Sequence, residues 1–74
     1  MNNLSSHNMP RPSQKLIAYL NTELKLSDSA IKLGLKQSEI EQAPLPIVLW
    51  SLGLLSIEQY HSLIHFELES KIEP

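Results

Sequence analysis

The chain has 74 residues, of which 42% are hydrophobic, carries a net charge of −2 and contains no cysteine. That length holds one domain, and the lack of thiols excludes both disulfides and thiolate metal sites as reinforcement. The charge is uneven: Arg11 and Lys15 stand alone in residues 1–15, whereas four lysines face eight acids in residues 16–74. An acidic body of this kind is a poor match for phosphate backbones, which are bound through clustered lysine and arginine. The first residues lack the apolar run of a secretory leader, and the most apolar stretch, Leu45 to Leu55, is too short to span a membrane. The expected compartment is the cytoplasm, with no membrane partner.

Residues 1–12 are polar, carry Pro10 and Pro12 and show no hydrophobic period, so they read as a disordered tail. Ser13 is placed as the N-cap of a first helix whose apolar face is Leu16, Ile17, Leu20 and Leu24. A break follows at Lys25, Leu26 and Ser27. Ser27 can accept a hydrogen bond from the next helix, Asp28 suits its positive end, and Leu26 and Ile31 have the spacing of a hydrophobic staple. The second helix is expected from Asp28 to Glu41, with Ile31, Leu35 and Ile40 inward. Gly34 in its middle costs about 1 kcal/mol against alanine, and either tolerance or close approach by another helix accounts for it.

Pro44 and Pro46 bracket a third, short helix from about Pro46 to Leu52, since proline is accommodated in a first turn. Gly53 is placed as its left-handed terminator. Ser56 and Gln59 then form an S-x-x-Q capping box, and Leu55 and Tyr60 form a second staple. The fourth helix is expected from Ile57 to about Ser70, with Tyr60, Leu63, Ile64 and Leu68 inward. No stretch alternates with a period of two for the length of a strand. The expected fold class is all-α, four short helices in a domain spanning residues 13–71, with 72–74 as a C-terminal tail.

Shifting the chain by 29 residues superposes Leu16 on Leu45, Leu20 on Leu49, Leu26 on Leu55 and Ser27 on Ser56. Ile31 then falls on Tyr60 and Leu35 on Ile64. The coincident positions are the inward and capping ones, so each half reads as one helix–Leu-Ser–helix unit. A single unit of this size cannot cover its own apolar face, whereas two stacked units can.

The second unit, residues 45–67, resembles the repeated motif in the N-terminal domain of type II secretion and type IV pilus assembly ATPases, and Gly53, Leu55, Ser56, Glu58, Gln59, Leu63, Ile64 and Glu67 follow that pattern. Lys15-Leu16 stands where the first motif has Arg-Leu. Ile17 replaces its glycine, and Pro44-Leu45-Pro46 replaces the second Arg-Leu-Gly. In some of those ATPases the paired motifs bind cyclic di-GMP. The resemblance therefore implies a cyclic dinucleotide as one candidate ligand, with Lys15 supplying charge and Gly53 allowing close approach. The length, the polar tail and the segment PLPIVLWSLGLLSIEQ also resemble a family of small uncharacterised proteins found in cyanobacteria.

Few residues suggest chemistry. His61 and His65 are one turn apart with Glu58 and Glu69 nearby, a spacing that can supply zinc ligands, but a solvated polar face accounts for the same stripe. His7 falls in the tail. No nucleophile–base pair or glycine-rich phosphate loop is present, so neither catalysis nor a cofactor or metal is expected. The third helix carries apolar residues all round, more than one short helix can bury. Ile47 and Trp50, with Phe66 of the fourth helix, are therefore the candidate partner-binding residues. The expected function is a non-catalytic interaction module that binds a protein partner or itself. A cyclic dinucleotide receptor is the alternative, and a DNA-binding helix-turn-helix a further one, though neither second helix carries the Arg or Asn set that reads base edges.

Overall fold

The computed structural model describes the backbone of residues 12–72 and the side chains of residues 12–70. The expected N-terminal tail up to residue 11, and the end of the chain beyond Ile72, lie outside the described residues. Four helices follow in order: α1 (Gln14–Thr22), α2 (Asp28–Glu41), α3 (Leu45–Ser51) and α4 (Ile57–Ile72). No strand occurs among the described residues.

Side-chain caps fix three of the four starts. The Ser13 hydroxyl accepts from the Leu16 amide at 3.1 Å, and the Ser27 hydroxyl accepts from Ala30 at 3.1 Å. At α4 the capping box is reciprocal: Gln59 donates its amide to Ser56 Oγ at 3.1 Å, and Ser56 donates its own to Gln59 Oε1 at 2.8 Å. Such a pair satisfies two amides that a helix start otherwise leaves open. The start of α3 has no such cap. Pro44 precedes it and Pro46 sits in its first turn, so the helix begins at Leu45, just ahead of the expected start.

A residue of positive φ follows closely on each of the first three helices. After α3, Gly53 (φ 78°) donates to the Trp50 carbonyl at 2.9 Å, and Leu54 donates to Leu49 at 2.9 Å. These two bonds form a Schellman motif, which occupies carbonyls the helix end exposes. Gln42 (φ 54°) and Lys25 (φ 62°) hold the same conformation without being glycine. Gln42 offsets part of that cost by donating from Nε2 to the Glu39 carbonyl at 2.8 Å.

The helices form a closed ring in which α1 packs on α2, α2 on α3, α3 on α4 and α4 on α1. Their shared core is Leu16, Leu20, Leu26, Ile31, Leu45, Leu49, Leu55 and Leu63, with no polar or charged side chain buried among the described residues. The three leucine pairs of the 29-residue repeat (16 with 45, 20 with 49, 26 with 55) are all buried. The repeat is thus a packing repeat: each unit supplies equivalent leucines and an equivalent serine cap. Gly34 is required by close approach. A Cβ at that position would overlap Leu49 Cδ2 and come within 3.2 Å of Leu45 Cδ1, so α3 rests directly on the α2 backbone.

Two inward expectations are corrected. Ile40 is 65% exposed, because it shares the outer stripe of α2 with Leu33, two turns earlier, and not the stripe of Ile31 and Gly34. Leu68 is 55% exposed. It follows Ile64 by one turn, and the seven residues of α3 are too few to cover that part of α4.

Candidate interaction surface on helices α3 and α4

The α1–α4 contact is antiparallel. Gln59 Nε2 donates to the Leu24 carbonyl at 3.4 Å at one end, and the Tyr19 and Phe66 rings stack with centroids 4.2 Å apart further along. Phe66 is therefore half-buried and packed against the core from the α1 side of α4, not beside Ile47 and Trp50. It lies off the leucine stripe of α4 because it faces α1, an arrangement that spacing within α4 alone does not reveal.

Ile47 and Trp50 behave differently. They lie one turn apart on α3, are 43% and 45% exposed, and project from a helix whose Leu45, Val48 and Leu49 are buried. The contrast within α3 follows from its apolar circumference: Leu49 fills the space above Gly34, and Trp50, one residue on, turns away from it. Trp50 stacks on Tyr60 of α4 with centroids 5.2 Å apart and an interplanar angle of 28°. Tyr60 in turn approaches His61, with ring centroids 6.2 Å apart. Ile57, 48% exposed, precedes Tyr60 by one turn and extends the apolar surface along α4. Gln42 to Ile57 contains no charged residue, so α3 and its corner present this surface without a formal charge.

The two residues singled out for a dinucleotide are not brought together. Lys15 lines an open groove of about 420 Å³ between α1 and α4, beside Tyr19, Phe66, Glu69 and Ser70. Gly53 belongs to the corner before α4, separated from that end of the groove by about 18 Å of helix. Space around Gly53 is open: a Cβ added there would meet nothing within 4 Å. On the outer face of α4, His65 Nδ1 lies 3.7 Å from Glu69 Oε2 with both side chains well exposed. Among the described residues no group of three or more His, Asp or Glu is placed to hold a metal ion, and no helix is long and apolar enough to cross a membrane.

Residues 13–67, all four helices but the last turns of α4, match the family model described as Protein of unknown function (DUF2949). The chain belongs to that family. The match begins at the Ser13 cap and ends one residue after Phe66, so it contains both Leu-Ser corners and the Ile47–Trp50–Tyr60 surface. Nothing in that match connects the chain with the secretion and pilus ATPases that its second unit resembles. Searches of curated proteins and of solved structures give no match.

Proposed function

We propose that this member of the family is a non-catalytic helical interaction module, acting in the cytoplasm, that binds a protein partner or a second copy of itself through the α3–α4 face centred on Trp50. The observation that carries the reading is the exposure of Trp50 next to the fully buried Leu49. A tryptophan held half out of the surface by a stacked tyrosine is pre-positioned, so little side-chain freedom is lost when a partner covers it. Ile47 and Ile57 flank it, and the uncharged α3 lets that patch lose water without stranding a charge.

The experiment is affinity capture from the native cytosol with the wild-type chain and with Trp50→Ala, each checked for folding by circular dichroism. The reading expects a specific partner retained by the wild-type chain, or self-association, and its loss in the folded variant. Equal retention by a folded Trp50→Ala protein contradicts it.

A further inference from the structure

Helix α4 meets its neighbours on three sides. Leu63 enters the core, Phe66 and Gln59 face α1, and Tyr60 faces α3. The remaining side carries Ile57, His61, Ile64 and Leu68, at intervals of four, three and four residues. That is the spacing of a coiled-coil seam, in which each side chain on one helix meets a hole on another. Ile57, His61 and Leu68 are exposed and Ile64 is half-buried, so the seam is present with none of the other described helices upon it.

Resting on the reading of the Trp50 face as a contact surface, we infer that its occupant is a second copy of this chain, with the two α4 helices packed antiparallel about a two-fold axis between Ser62 and Leu63. The side chains flanking the seam complement a second copy in this direction. An antiparallel pair sets Ile57 against Leu68 of the other copy and His61 against Ile64. In the flanking positions Glu58 of one copy lies beside His65 of the other, and Tyr60 beside Glu67. Each carboxylate thereby meets a ring that can donate a hydrogen bond to it. A parallel pair instead sets Tyr60 beside His65 and leaves Glu58 and Glu67 with no such ring to accept from. It also brings the like residues of the seam, including both His61 rings, face to face. The two-fold uses every contact twice, as an isologous interface does. Trp50, stacked on Tyr60 beside the seam, carries that contact onto α3 of each copy together with Ile47.

The chain holds no cysteine, which permits a direct test. Sedimentation equilibrium of the full chain is expected to show a monomer–dimer equilibrium that Leu68→Asp abolishes while the helical spectrum persists. Under mild oxidation Ile57→Cys and Leu68→Cys are each expected to stay uncrosslinked alone, and to form a disulfide-linked dimer when mixed. A wild-type chain that remains monomeric to millimolar concentration overturns the self-pairing, and cytosolic capture by Trp50 then decides the broader reading separately. A dimer undiminished by Leu68→Asp, or Ile57→Cys crosslinking to itself, overturns the antiparallel α4 contact.

Discussion

A Cβ on Gly34 would have to displace the Leu49 and Leu45 side chains, and a left-handed Gln42 or Lys25 carries a strain that glycine would not. Substitutions at these positions therefore act in opposite directions. Gly34→Ala forces Leu49 and Leu45 outward, and overpacking of this kind costs about 1–3 kcal/mol, more than the gain in helix propensity returns. Lys25→Gly releases the cost of a positive φ, which is about 1–2 kcal/mol for an L-residue before the looser unfolded chain offsets part of it. Chemical denaturation should therefore show Gly34→Ala less stable than the wild-type chain and Lys25→Gly more stable, by up to about 1 kcal/mol in the second case. At this scale the sequence revealed Gly53 as a terminator but not Lys25 or Gln42. Glycine advertises a positive φ, whereas a lysine or glutamine placed there by the chain's need to turn carries no such mark.

At the scale of elements, the Leu-Ser corners were the most legible feature. Ser13, Ser27 and Ser56 cap the helices they precede in sequence, and α2 has the bounds its capping and apolar period imply. Local hydrogen bonding decides such boundaries, so a few adjacent residues contain the information. Ser27→Ala and Ser56→Ala should each cost about 1 kcal/mol. Gln59→Ala should cost at least as much as Ser56→Ala, because Gln59 completes the capping box and also reaches the Leu24 carbonyl of the first unit. Equilibrium urea unfolding of the three variants orders them. The last turns of α2 and α4 were less legible. Ile40 and Leu68 are as apolar as the residues that are buried, and their exposure depends on where the short α3 begins and ends. That is a property of the neighbour and not of their own helix.

For the whole molecule, the ring of four helices explains what local patterns left open. Antiparallel packing of α1 on α4 buries half of Phe66 against Tyr19, keeps Lys15 away from Gly53 and leaves α3 and the outer side of α4 to carry the exposed apolar residues. The 29-residue repeat indicated the stacking of two units, since paired leucines must meet in one core. It could not indicate the candidate surface, because Trp50 and Tyr60 come from different helices of the second unit and meet only in the folded chain. The surface is interpretable as an interface only if the fold does not depend on it. Neighbouring residues test that condition most directly: thermal melts of Leu49→Ala and Trp50→Ala measured side by side. Removing the buried leucine should cost about 2–5 kcal/mol, much of the stability of a domain this small, and abolish or strongly depress its cooperative melt. Removing Trp50 should cost only about 1–2 kcal/mol, since its half-exposed ring loses one stacked contact, and leave a cooperative melt. A Trp50→Ala protein as unstable as Leu49→Ala would make Trp50 part of the core and contradict the account.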